Sequence, residues 1–157
     1  SFNMQKKIIT NSANQTQKLG EKLALQLYLG QAKEIKDRKS AVVLELQGDL
    51  GGGKTTFLQG FAKELGIKEK ILSPTFVLIK RFSISKKPFK NFYHIDCYRI
   101  NNVKDIEELG LKNIIINPEN IVAIEWSERI KKKLPKLTII IKFNFINKNK
   151  REVVINF

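Results

Sequence analysis

Ala41-Val42-Val43-Leu44-Glu45-Leu46, then a single Gln47, then Gly48-Asp49-Leu50-Gly51-Gly52-Gly53-Lys54-Thr55, is the stretch that decides the fold. The apolar run reads as a buried strand, and the glycine-rich segment is a complete GxxxxGK[ST] phosphate-binding loop. Such a loop turns backbone N–H groups inward around phosphate oxygens, because glycine accepts the positive φ angles that a Cβ resists. A lysine at position 54 would reach β/γ-phosphates and a threonine at 55 would offer its hydroxyl to Mg²⁺. Thr56 to Leu65 carries apolar residues at Phe57, Leu58, Phe61, Ala62 and Leu65, which predicts a helix whose N-terminus lies under the phosphates. Strand, loop and helix follow in the order the motif requires, against the alternative of a chance glycine turn. The candidate nucleotide-binding set is Asp49, Gly51, Gly52, Gly53, Lys54, Thr55 and Thr56.

The 157 residues suit one domain over positions 4–157, with Ser1-Phe2-Asn3 ahead of Met4 read as an expression scar. No long uninterrupted apolar run and no basic-then-apolar leader is visible, so the expectation is a soluble cytoplasmic protein without a membrane partner. One cysteine, Cys97, rules out an intrachain disulfide, and with one histidine, His94, an all-Cys/His zinc site is impossible. The net charge of +14, from 29 Lys+Arg against 15 Asp+Glu, draws polyanions to the surface and makes RNA the natural suspect. A compositional bias toward Ile, Asn, Lys and Phe explains the same charge without RNA, and no nucleic-acid recognition module is visible.

Lys6 to Thr10 reads as a first strand, and Asn11 or Ser12 as the cap of a helix running to about Leu29. Gly30 to Ser40 reads as a polar connection. Phe76 to Phe82 and Phe92 to Tyr98 predict a hairpin, Val103 to Leu109 a helix stopped by Gly110, and Ile121 to Glu125 a buried strand. Leu137–Ile146 and Glu152–Phe157 predict a closing hairpin. Parallel and antiparallel signals together imply an α/β fold: a mixed central sheet flanked by helices, with antiparallel hairpins.

Glu125 ends an apolar strand, as a Mg²⁺-linked carboxylate would, opposite the Thr55 hydroxyl; a surface Glu at a strand end is the alternative. Period-two alternation puts His94, Asp96 and Tyr98 on one strand face and Ile95 and Cys97 on the other. Asp96 there could orient or deprotonate a water or complete a Mg²⁺ shell, or simply pair with Arg99 or a lysine. Cys97 reads as a small buried apolar residue. Ser73-Pro74-Thr75 is either an ordinary turn or a loop whose hydroxyls meet a γ-phosphate. Trp126 reads as a partly buried aromatic near the same site.

Gly48-Asp49-Leu50-Gly51-Gly52-Gly53-Lys54-Thr55-Thr56, Ser73-Pro74-Thr75, His94-Ile95-Asp96-Cys97-Tyr98-Arg99, Glu107-Glu108-Leu109-Gly110 and Glu125-Trp126-Ser127-Glu128 together resemble the TsaE (YjeE) family over nearly the whole chain. The resemblance implies a single P-loop NTPase-like domain, the bacterial ATPase of the machinery that makes N6-threonylcarbamoyladenosine in tRNA, using ATP and Mg²⁺ and working with TsaD and TsaB. It further implies that Lys54 and Thr55 bind phosphate and Mg²⁺, that Thr75 belongs to a switch-like loop, and that Asp96 and Glu125 are the catalytic and Mg²⁺-linked carboxylates. Gly52 stands where alanine is usual and Ser127 where proline is common, and neither change removes a functional group. No in-cis arginine finger stands out, which implies slow hydrolysis until a partner completes the site.

A small-molecule kinase would need an arginine-rich lid, yet the arginines 38, 81, 99, 129 and 151 are scattered. A GTPase is disfavoured because Asn147-Lys148-Asn149-Lys150 has Lys where a guanine-reading Asp is needed. A nucleotide-dependent RNA-binding switch rests on charge alone.

Overall fold

The computed structural model describes residues 4–30, 32–48, 53–72, 79–98, 100, 102–129, 134–135 and 138–157. Seven strands form one mixed sheet: β1 (Gln5–Thr10), β2 (Val42–Gln47), β3 (Ile79–Ser83), β4 (Asn91–Asp96), β5 (Asn120–Glu125), β6 (Thr138–Phe145) and β7 (Arg151–Asn156). Their spatial order is β1-β7-β6-β2-β5-β4-β3. The strand ahead of the glycine-rich loop, β2, is central and parallel to both neighbours, β5 and β6, and β4 continues the parallel block beyond β5. Antiparallel pairs, β3 with β4 on one side and β6–β7–β1 on the other, close the sheet, so both expected hairpins are present over their described residues, positions 76–78 and 137 of the expected strands lying outside them.

Parallel strands covered on both faces must be apolar throughout, and β5 is buried at every position. On β2 the alternation sorts Val42, Leu44 and Leu46 to one face and Val43 to the other. The first face is covered by α1 (Ala13–Leu29) and α3 (Lys54–Glu64), the second by α4 (Val103–Glu107) and α5 (Leu111–Ile115). Ser12 caps α1 by accepting the Gln15 N–H, while the Gln15 side chain accepts the Asn11 N–H at 2.7 Å, a reciprocal arrangement close to a capping box. The polar connection after α1 contains one further turn, α2 (Lys33–Lys36), which buries Ile35.

Two aromatic contacts pin α3 to the sheet. Phe57 meets Phe143 of β6 edge-on at 5.4 Å, and Phe61, one turn later, meets Phe92 of β4 at 5.7 Å. Each fully buried phenylalanine contributes roughly 1.5–3 kcal/mol. On its opposite side α3 touches α1 almost backbone to backbone: a Cβ on Gly60 would lie 1.9 Å from the Gln17 carbonyl oxygen, and one on Gly20 would lie 2.1 Å from that of Phe57. Clamped between sheet and α1, the start of α3 has one position available. No described helix is long and apolar enough to cross a membrane.

In an unhindered helix, Gly→Ala stabilises by about 0.5–1 kcal/mol. Gly60→Ala and Gly20→Ala should invert that sign and destabilise by about 1–3 kcal/mol or more, since the atom met is main chain and cannot rotate away. Urea denaturation read by circular dichroism checks it; a stability equal to or above the parent's would refute the close-contact argument.

Candidate functional site

The register of the parallel block decides which residues meet. Leu46, near the end of β2, lies opposite Glu125 of β5, and Glu125 lies opposite Asp96 of β4. The loop after β2 and two carboxylates therefore converge at the carboxyl ends of adjacent parallel strands, where α/β sheets take ligands. Gly48 and Gly53 bracket the loop with φ of 133° and 102°, values that demand glycine. Asp49, Gly51 and Gly52 lie outside the described residues, as do Ser73-Pro74-Thr75 and Arg99.

Lys54 opens α3 and is 6% exposed. Its Nζ donates to the Gly48 carbonyl at 2.7 Å and stands 3.7 Å from Glu125 Oε1. The other Glu125 oxygen, Oε2, is 2.7 Å from His94 Nε2, which is also buried. Burial pushes the Glu125 carboxyl up, but the hydrogen bond and charge of His94, with the charge of Lys54, outweigh it and leave the pKa below the usual value. Asp96 moves the other way: burial raises it, the Tyr98 N–H opposes this, and the neighbouring Glu125 charge raises it further. Two carboxylates side by side are thus pushed apart in acidity, a pattern that separates roles at reacting sites.

The strand carrying Asp96 is shorter than its alternation suggests. Its carboxylate accepts the Tyr98 N–H at 2.9 Å, an Asx-type turn that ends β4 at Asp96 and takes Tyr98 off the strand. Tyr98 packs instead on Trp126, with ring centroids 5.0 Å apart. Cys97 is fully buried in the second core cluster, as a small apolar residue would be.

Thr55 and Thr56 occupy the first turn of α3, half-buried. Thr56 and Gly53 border a cleft of about 90 Å³ whose other walls include Thr16 of α1, Lys148 and Asn149 of the β6–β7 turn, and Arg151, the first residue of β7. A lysine-rich hairpin turn carries no local signal of where it lands, so the sequence does not reveal these distant residues as neighbours of the loop. Among the described residues no group of three or more His, Cys, Asp or Glu could hold a metal by itself. Mg²⁺ does not need one, since it binds through one or two carboxylates plus phosphate oxygens and water. Glu125 and the Thr55 hydroxyl fit that donor set.

A central parallel strand, a glycine-bracketed loop, a helix opening on lysine and a neighbouring strand ending in a carboxylate define an α/β protein of the P-loop type. The crystal structure of Bacillus subtilis YdiB has the same fold, with a TM-score of 0.68 at 28% identity, covering 99% of this chain and 86% of that one. The family model of threonylcarbamoyl adenosine biosynthesis protein TsaE matches residues 10–153. The tRNA threonylcarbamoyladenosine biosynthesis protein TsaE of Bacillus subtilis is 42% identical over 106 residues, 66% of this chain and 63% of that protein's length. Its Aquifex aeolicus counterpart is 34% identical over 150 residues, 94% of this chain and 93% of that one. The chain belongs to the TsaE family.

The two carboxylates give opposite pH signatures. A lowered folded-state pKa at Glu125 contributes stability that is present above the unfolded carboxylate pKa and is lost as pH falls through the folded value. A raised one at Asp96 means that the fold holds that proton more tightly than the unfolded chain does, so its contribution is greatest at low pH and is lost as pH rises through the folded value. Thermal melts from about pH 3 to about pH 7 should show the deficit of Glu125→Gln shrinking as pH falls, and Asp96→Asn gaining on the parent as pH rises. Parallel curves for the two variants would refute the assignment.

Proposed function

We propose that the chain binds ATP with Mg²⁺ and hydrolyses it as the ATPase of the machinery that makes N6-threonylcarbamoyladenosine in tRNA. The names of its relatives support the pathway. The convergence of Lys54, Glu125 and Asp96 beside the N-terminus of α3 is the observation that carries the chemistry. In this reading the backbone from Asp49 through Gly53, with Thr56, cradles the phosphates, and Lys54 leaves the Gly48 carbonyl for the β/γ-phosphate oxygens. Thr55 and Glu125 hold Mg²⁺, which when bound neutralises charge building on the phosphates. Asp96, with its raised pKa, orients the attacking water and takes its proton, since a base nearer neutrality accepts a proton more readily. Thr75, outside the described residues, is assigned to the γ-phosphate by the family resemblance alone. The nucleoside extends toward the cleft walled by Thr16, Thr56 and the β6–β7 turn.

Turnover is slow in the isolated chain. Arg38 is stacked on Phe89 and bonded to the Pro118 and Ile35 carbonyls, and Arg81 is bonded to Asn91, so neither supplies transition-state charge. TsaD and TsaB complete the site, and hydrolysis supports or resets threonylcarbamoyl transfer to tRNA, which the basic surface also allows this chain to touch directly.

An ATPase assay with TsaB, TsaD and tRNA added stepwise tests this. Stimulation should appear only with the partners present, and completion of such a site in trans can reach about 10³–10⁵-fold. Lys54→Ala should abolish it. Asp96→Asn should keep MgATP binding by calorimetry while losing stimulated turnover by about 10²-fold or more. Fast hydrolysis by the chain alone, indifferent to the partners, would overturn the proposal.

A further inference from the structure

Between Glu125 and the following turn sits the one described non-glycine residue with positive φ, Trp126 at 58°. A bulky side chain resists the left-handed region and stays there only when its surroundings impose it. Two tethers do so here. On one side the Glu125 carbonyl accepts the Cys97 N–H at 2.9 Å. On the other Ser127, 0% exposed, donates its hydroxyl to Oε1 of Glu45, a residue of β2 that is itself 3% exposed. The same oxygen is 3.4 Å from Gln47 Nε2. Glu45 faces Ile124 across the sheet, so the tether runs from the strand that feeds the loop to the turn that follows the Glu125 strand.

A carboxyl group in the middle of a buried strand is a poor choice for stability, because an apolar side chain there would avoid the desolvation. Its effect is on geometry. With the turn held, the indole lies against Tyr98, and Lys54 Nζ stands over its ring 5.5 Å from the centroid. The ring face then joins Gly48 and Glu125 as a partner of the buried ammonium.

We propose that Glu45 and Ser127 are positioning residues that hold Trp126 in its left-handed conformation and so fix where Lys54 sits. Their effect on nucleotide rests on the function proposed above, but their effect on Trp126 does not. Released from Glu45, the turn relaxes to an ordinary φ, the indole leaves the ammonium, and Lys54 is no longer presented in one place.

Trp126 is the single tryptophan of the chain, so its emission reads this turn alone. In the nucleotide-free protein, Ser127→Ala and Glu45→Ala should shift the emission to longer wavelength and increase quenching by acrylamide, whereas Glu45→Gln, which keeps the acceptor oxygen, should stay near the parent. Titration with MgATP should show affinity weakened roughly three- to tenfold in the two alanine variants and restored in Glu45→Gln, the scale of one buried hydrogen bond lost. Folded Ser127→Ala with parental emission and quenching would overturn the proposal, as would a Glu45→Gln spectrum matching that of Glu45→Ala. If the parent binds no MgATP, the functional reading fails, while the emission comparison still decides the role of the pair. A lower melting temperature with an unmoved spectrum would mark a purely structural contact and refute it as well.

Discussion

A positive charge buried at the start of a helix is doubly disfavoured, and the site is organised around making one tolerable. Removing an ammonium from water costs several kcal/mol, and the first turn of a helix presents N–H groups and the positive end of the dipole. Lys54 nonetheless opens α3 at 6% exposure. It is offset by a carbonyl at 2.7 Å, a carboxylate at 3.7 Å and an aromatic face at 5.5 Å. Each of these partners belongs to the protein. An incoming polyphosphate would supply denser negative charge at the same helix terminus, where it is favoured.

That compensation depends on placement rather than on the residues alone. The Gly48 carbonyl comes from just after β2, the carboxylate from β5 and the helix from the far side of the loop, so strand register and helix position must agree. Parallel pairing sets the first. The second is set by two glycines that let α1 and α3 touch main chain to main chain, and by Phe57 and Phe61 reaching into the sheet one turn apart. The packing distant from the site is therefore what gives Lys54 its address.

Much of this was legible in the sequence because it is local. Strand, loop and α3 are written in glycine spacing and helical periodicity, the Ser12 cap in a polar residue ahead of an apolar stripe, and the hairpins in alternation around turns. What failed to show depends on partners far along the chain. Four-residue α2 is too short for a period, and α5 was hidden because Gly110, read as the stop of a helix to Leu109, instead caps the start of α5, while α4 ends earlier, at Glu107. Alternation put His94 and Asp96 on one face, but only the β4–β5 register reveals that the imidazole reaches Glu125. Glu45 did carry a signal, a lone charge within an apolar run, and passed as an ordinary strand residue. Ser127 looked inconsequential as a replacement for proline, yet its hydroxyl makes a buried hydrogen bond that proline could not.

The presence of glutamate at 125, where aspartate is the commoner residue of such strand ends, has a geometric reason. Asp96 and Glu125 are in register and point to the same side of the sheet, and His94, two residues before Asp96, is diagonal to Glu125. From that position a carboxylate must span to His94 on one strand and Lys54 on the next element, one oxygen to each. The extra methylene supplies that reach; an aspartate held on the same backbone would fall short of one partner or the other. Asp96, shorter and at the edge of the Asx turn, contacts neither base directly and accepts a main-chain N–H instead. The opposed acidities of the pair follow: Glu125 is bonded to His94 and close to Lys54, whereas for Asp96 burial, helped by the Glu125 charge, outweighs the Tyr98 N–H and the more distant charges of His94 and Lys54.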